Sequence, residues 1–177
     1  LDKVEADDII AYLSDVTPQK KEDKVFIVSS DKDFLQLINE NVIVYRPMEK
    51  EYYTVDTVVE KFKMSPTNFI LYKTLMGDNS DKVAGIKGLG EKKLYKLFPE
   101  LTTQEMTLED IYNISVKKLK ENVIYARIIQ NFESLKTNYK IMDLSKPMID
   151  KNDEKYLDSV VKSKDILYLP DQFVSMY

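Results

Sequence analysis

The chain has 177 residues, 44% of them apolar and 32% charged, with a formal net charge of −4. That suffices for one cored domain with a further unit attached, and it excludes a global basic field, so any nucleic-acid site must be a local patch. There is no cysteine and no histidine. Disulfides, thiolate or imidazole metal sites and Ser-His or Cys-His catalysis are therefore excluded, and metal chemistry must use carboxylates, which suit hard ions such as Mg²⁺ or Mn²⁺.

Val4, Ile9, Ile10, Leu13 and Val16 recur at helical spacing, predicting an amphipathic helix from about Asp2 to Asp15. Its first turn carries Asp2, Glu5, Asp7 and Asp8. Acids there complement the helix dipole; equally, Glu5 and Asp8 on one face repel, and a cation would relieve them. Val25 to Val28 is a continuous β-branched run that reads as a buried parallel strand. It ends in Ser29-Ser30-Asp31-Lys32-Asp33, where Ser30 or Asp31 could cap the next helix. Two aspartates beyond the carboxyl end of a strand also stand where α/β sheets bind ligands.

Asn41 to Tyr45 reads as the next strand and Tyr52 to Val55 as a short one. From Asp56, taken as a cap for Val58, Val59 and Phe62, the pattern is helical, and Ser65-Pro66 opens a second helix through Met76. All four glycines follow within one window: Gly77, Gly85, Gly88 and Gly90. The window opens with Asp78 and Asp81 and closes with Glu91-Lys92-Lys93 running into a helix that Pro99 stops. It reads either as a helix-linking loop with solvated charges or as acid for a metal beside bare amides and lysines for a phosphate. Thr107 to Asp110 matches a capping box. Ser115 to about Ile141 reads as one long helix, with a break near Glu121-Asn122 allowed, whose lysines Lys117, Lys118, Lys120 and Lys136, with Arg127, suit a solvated face. Residues 153–162 read as a last helix, and the apolar tail from Asp165 is expected to dock on the body. Strands first and helices afterwards predict an α/β layer followed by a helical module.

The acids thus fall in three groups at element boundaries: Glu5, Asp7 and Asp8; Asp31 and Asp33; Asp78 and Asp81. Seven carboxylates cannot converge without counter-ions, whereas two divalent ions make the same cluster competent for phosphoryl chemistry. Glu-Ala-Asp-Asp before Ile-Ile-Ala-Tyr, Ser-Ser-Asp-Lys-Asp-Phe after a strand, and Gly-Asp-Asn-Ser-Asp-Lys-Val leading into Gly-Ile-Lys-Gly-Leu-Gly-Glu-Lys resemble the 5′-nuclease superfamily. The similarity is to its phage and bacterial flap endonucleases and 5′–3′ exonucleases, including the nuclease domain of DNA polymerase I. It covers roughly residues 3 to 98.

That resemblance implies an α/β fold, a partial parallel sheet of a PIN-like nuclease core followed by a helical helix-three-turn-helix (helix-hairpin-helix) module. Residues 1–55 would be the C-terminal half of the core, and 56–177 the DNA-binding module with its hairpin at 76–98. It implies a metal-dependent, structure-specific 5′ nuclease acting in replication on duplex or flapped DNA, or on RNA–DNA hybrids, in the cytoplasm of a bacterial or phage-infected cell. Asp8, Asp31 and Asp33 would be catalytic, and these with Glu5, Asp7, Asp78 and Asp81 would hold Mg²⁺, for which Mn²⁺ can substitute. Gly85, Lys87, Gly88, Gly90, Lys92 and Lys93 would hold DNA, with K⁺ at the hairpin. The family's first-strand aspartate and basic arch precede Glu-Ala-Asp-Asp and have no counterpart here. Residues upstream of Leu1, or a separate N-terminal nuclease half as partner, are therefore expected. The alternatives are a non-catalytic duplex-binding module and the partner half of a split nuclease.

Overall fold

The computed structural model describes residues 4–17, 20–78 and 83–162. Asp81 and the apolar tail from Asp165 lie outside the described residues. Helix α1 (Ala6–Val16) leads to strand β1 (Val25–Val28), a short 3-10 helix (Asp33–Leu37), and strands β2 (Val42–Arg46) and β3 (Glu51–Tyr53). The sheet order is β1-β2-β3; β1 runs parallel to β2 with Ile27 opposite Val44, and β3 is antiparallel with Tyr53 opposite Val44. Ile27, Val42, Val44 and Tyr53 point inward onto Ala11, Phe34, Leu35, Ile38, Val58, Phe69 and Leu144. The run in β1 predicts burial on both faces, but only one is covered: Phe26 and Val28 stay 55% and 56% exposed on the outer face, with Tyr52 beside Phe26. Among the described residues no layer lies over that face, so alternation asserts itself despite an all-apolar sequence.

Helix α2 (Val55–Phe62) is capped by Thr54, whose hydroxyl accepts the Thr57 amide, rather than by Asp56. The cap must sit in extended geometry before the first helical residue, and Asp56 is already inside. Pro66 opens a 3-10 turn (Pro66–Asn68) that continues into α3 (Phe69–Met76). Two-residue strands β4 (Gly77–Asp78) and β5 (Val83–Ala84) pair antiparallel, and α4 (Glu91–Leu97) follows.

The expected helix from Ser115 to Ile141 is three pieces. Helix α5 (Leu108–Lys117) starts at a Thr107–Asp110 capping box. The Thr107 hydroxyl and amide both donate to the Asp110 carboxylate and hold its pKa below the usual range. Asn122 then caps α6 (Val123–Gln130) by accepting the Ile124 amide, and Asn131 separates α6 from α7 (Phe132–Met142). Asparagine side chains that bond nearby amides compete with helix continuation, although the apolar period runs on through them. The last described helix is α8 (Lys151–Lys162).

A second core gathers Leu71, Leu75, Leu94, Leu97, Phe98, Leu101, Ile111, Ile124, Tyr125, Ile128 and Leu135 from α3 to α7. Each of these leucines contributes about 2 kcal/mol of transfer free energy, so the glycine window is held by the helices at its ends. Asn68 locks the arrangement: its amide donates to the carbonyls of Leu101 and Gln104, and its oxygen accepts the Met106 amide. Among the described residues no helix is long and apolar enough to cross a membrane.

Candidate functional site: an acidic cleft joined to a glycine hairpin

Glu5 is the extended N-cap residue of α1, which begins at Ala6; Asp2 lies outside the described residues. Asp7 and Asp8 occupy the first turn, where the dipole favours them. Asp8 is buried, and its Oδ1 accepts the Met148 amide at 3.0 Å. Beyond β1, Ser29 Oγ accepts the Asp31 amide at 3.0 Å and Asp31 Oδ1 accepts the Asp33 amide at 2.8 Å. Neither Ser30 nor Asp31 is the helix cap; that position is Lys32, and Asp31 turns the chain into the 3-10 helix instead. Glu5, Asp7, Asp8, Asp31 and Asp33 line one cleft of about 280 Å³, faced by Lys140 to Leu144 and Met148. Gln36 fixes that facing wall: its side chain donates to the Met142 carbonyl and accepts the Leu144 amide, both at 3.0 Å.

Asp78 is not among the residues lining this cleft. It is tied to it by Lys73, a buried lysine on α3 whose Nζ pairs with Asp33 Oδ1 and, at 2.7 Å, with Asp78 Oδ2. Lys73 has no role in the sequence-based expectation. Its signal was a lone charge in Phe-Ile-Leu-Tyr-Lys-Thr-Leu-Met, because a lysine on an otherwise apolar helix must find a partner. Among the described residues no three carboxylates stand close enough to enclose a single ion.

Asp78 begins the hairpin. A Cβ on Gly85 would lie 2.2 Å from the Met76 carbonyl, so Gly85 is required for backbone to touch backbone where β4 meets β5. Gly88 has φ +80, the left-handed conformation, whereas Gly90, for which sequence also allows positive φ, sits at φ −120 as the N-cap of α4. A Cβ on Gly90 would meet nothing within 4 Å, so nothing inside the protein demands glycine there. The Ile86 amide bonds to the Leu75 carbonyl at 2.8 Å, Asn138 donates to the Ala84 carbonyl, and Lys93 Nζ donates to the Gly88 carbonyl at 2.9 Å. Arg127 of α6 donates to the Lys87 carbonyl, a brace that sequence did not predict. Lys87, Lys92 and Lys93 are exposed around a shallow concavity formed by Gly88 to Lys93. The Tyr95 hydroxyl donates to the Phe62 carbonyl, and burial, then the Glu91 charge, raises its pKa above the usual tyrosine value.

Comparison with known proteins assigns the two halves separately. The family model described as 5′-3′ exonuclease, N-terminal resolvase-like domain, matches residues 1–63, and that described as 5′-3′ exonuclease, C-terminal SAM fold, matches residues 64–155. A 5′-3′ exonuclease of Aquifex aeolicus is 42% identical over 106 residues, 60% of this chain and 36% of that protein. DNA polymerase I of Bacillus subtilis is 39% identical over 127 residues, 70% of this chain and 14% of that protein. The flap endonuclease Xni of Shewanella woodyi is 34% identical over 138 residues, 76% of this chain and 54% of that protein. The chain therefore spans from about one seventh to about half of these relatives' lengths. Among solved structures, phage T5 5′-exonuclease with bound zinc superposes with a TM-score of 0.73 at 22% identity, covering 89% of this chain and 59% of that one. A phage T5 flap endonuclease complex with DNA and metal ions gives 0.72 at 21%, covering 89% and 58%. With its acidic half and its hairpin half each matched in order, the chain belongs to the 5′-3′ exonuclease family.

Proposed function

We propose that this chain is the C-terminal portion of a metal-dependent, structure-specific 5′ nuclease, a flap endonuclease or 5′–3′ exonuclease that hydrolyses DNA or RNA–DNA phosphodiesters in replication. One observation carries the reading. Five of the seven acids singled out in the sequence share a cleft, with Asp143 on its facing wall, and Lys73 joins one of them, Asp33, to Asp78 at the root of the glycine hairpin. The chemistry and the grip on the substrate are thereby one connected unit.

The donor chemistry, carboxylate oxygen alone, suits a hard divalent ion that would draw the acids closer than they stand here, and the ammonium of Lys73 already stands between Asp33 and Asp78 as a positive charge. Asp8, Asp31 and Asp33 are the proposed catalytic ligands, with Glu5, Asp7, Asp78 and Asp81 completing the set for Mg²⁺ or, in its place, Mn²⁺. When bound, the metal supplies an acidified water and neutralises charge at the departing oxygen. The rest is done by the chain. Lys73 holds Asp33 and Asp78 in place, and the Asp31 turn presents Asp33 beyond β1. The amides of Gly88 and Gly90 with Lys87, Lys92 and Lys93 take the phosphates of duplex DNA, while Gly85 keeps the hairpin closed enough to present them. A K⁺ ion at the hairpin would share or compete for the carbonyls of Lys87 and Gly88 with the cationic side chains of Arg127 and Lys93, which already donate to them.

Among the described residues β1 is an edge strand, and with the uncovered Phe26, Val28 and Tyr52 it suits an N-terminal nuclease half, on the same chain or another; this favours a nuclease completed by that half over a pure binding module. The test is cleavage of a 5′-flap substrate by the chain together with the N-terminal half of a family member. Expected is Mg²⁺-dependent release of 5′ products that EDTA, Asp8→Asn and Asp33→Asn abolish, with duplex binding retained. Duplex binding without cleavage in any combination would leave a non-catalytic module.

A further inference from the structure

Two lysines stand at the acidic cleft, and they differ in what they do with their charge. Lys73 is buried, and its ammonium is paired with Asp33 and Asp78. Lys140 is exposed and is the only cation among the described residues lining the cleft itself. Six carboxylates line the same space, those of Glu5, Asp7, Asp8, Asp31, Asp33 and Asp143. Lys140 nevertheless makes no ion pair among the described residues.

Lys140 lies in the last turn of α7, where a cation complements the helix dipole. That alone would leave it in open solvent. What sets it over the acids is the wall on which it stands. Met142, two residues on, is buried; Gln36 holds its carbonyl and the Leu144 amide, and Asp8 accepts the Met148 amide. These bonds pin the wall to the elements that carry the acids, so Lys140 stays on the far side of the cleft. A lysine serving as counter-ion to the acids would close onto them on its flexible stem, as Lys73 does. Lys140 keeps its charge unpaired. Ile141 and Met148 line the same wall and are 62% and 67% exposed. Apolar side chains beside an unpaired ammonium suit a nucleotide, whose base and sugar adjoin its phosphate, better than a bare inorganic anion.

We propose that Lys140 is a further catalytic residue, whose ammonium meets the phosphate being cut from the side opposite the acids, with Ile141 and Met148 against the sugar and base of that nucleotide. Water adds to phosphorus, the bond to the departing oxygen breaks, and that oxygen takes up a proton. Lys140 stays protonated throughout and offsets the negative charge on the phosphoryl oxygens. The inference rests on the nuclease reading above, so the experiment separates the two.

Binding of the whole chain in Mn²⁺ is measured for the parent and K140A on three DNAs: a duplex, the same duplex with a 5′ flap, and the flapped duplex with neutral methylphosphonates at the linkages flanking the junction. Lys140 is exposed, and circular dichroism checks the fold. The neutral linkages should weaken binding about tenfold more in the parent than in K140A, the worth of one charged contact. Plain duplex should bind both equally, because the hairpin holds it. Completed with the N-terminal half of a family member, K140A should cut the ordinary flap about 100-fold more slowly than the parent in single turnovers. Equal losses from the neutral linkages in parent and K140A, or equal cutting rates, would overturn the contact and leave the nuclease reading standing. Tighter Mn²⁺ binding by K140A together with equal losses would make Lys140 a counter-ion of the acids instead. No cutting by the parent, whatever the binding, would remove the nuclease reading and this inference with it.

Discussion

Replacing Lys73 with Met keeps the length and removes the charge. The Lys73 side chain is 7% exposed and those of Asp33 and Asp78 are 15% and 17%, so the change leaves two largely buried carboxylates facing a thioether. Removing one partner of a buried ion pair costs about 3–5 kcal/mol, and the residual exposure of both acids argues for the lower end, about 3 kcal/mol. In a chain of this size, that is roughly 6–12 °C in Tm. The protein has no tryptophan, so far-UV circular dichroism during urea and thermal unfolding is the assay. The variant Lys73→Met, Asp33→Asn, Asp78→Asn should recover most of the loss, because it removes the two carboxylate charges that lost the ammonium as well. Millimolar Mg²⁺ should raise the Tm of Lys73→Met more than that of the triple variant. A loss below about 1 kcal/mol in Lys73→Met would mean that the pair behaves like a solvated surface bridge, and the argument for Lys73 as the tie between cleft and hairpin would fail.

Asn68→Leu strands the carbonyls of Leu101 and Gln104 and the amide of Met106; about 3 kcal/mol or more should be lost in urea unfolding, and a loss below 1 kcal/mol would refute the clamp. Gly85→Ala should cause a large drop in Tm, because its Cβ meets backbone at 2.2 Å. Gly90→Ala, with open space around it, should cost no more than about 1 kcal/mol yet weaken duplex binding. The Tyr12 hydroxyl donates to Asp158 at 2.8 Å, and this hydrogen bond to a carboxylate pushes its pKa from 10.0 up to about 12. The folded-state value is raised, so its stabilisation is complete below pH 10 and is lost as pH climbs toward 12. In a tyrosinate absorbance titration, Asp158→Asn should move one tyrosine back to the ordinary range out of a late-titrating group that also holds Tyr72, Tyr95, Tyr125 and Tyr139, which burial raises.

What could be read from sequence was local. The acids of the cleft stand beside apolar periods that mark element ends, and the Thr107–Asp110 box is a bond between residues three apart. Gln36 and Arg127 were not legible as site residues because their partners lie 40 to 108 positions away, and Lys73 was not because only one of its two partners, Asp78, is near in sequence while Asp33 is 40 positions off. The break of the long helix was only half legible, since Ile124, Ile128 and Leu135 keep the period of an unbroken one while Asn122 and Asn131 end its segments. The outer face of β1 misled for a different reason: Phe26 and Val28 are apolar, and apolar residues do not announce what covers them.

The element that makes one machine of these parts is α3. Phe69 at its start packs in the core beneath the sheet, Leu71 and Leu75 belong to the helical core, and Tyr72 lies against both. Between them, Lys73 reaches Asp33 on one side and Asp78 on the other. Eight helical residues span about 12 Å and do not stretch. The acidic cleft and the glycine hairpin are therefore held at a set separation by a rigid element anchored in two cores. The nuclease proposed above, cutting at a defined distance from the duplex it grips, would need such a ruler more than it would need any single carboxylate to be strongly bound. This accounts for a lysine being buried in α3, where an apolar residue would pack at lower cost: its one ammonium draws Asp33 of the cleft and Asp78 of the hairpin to the same point.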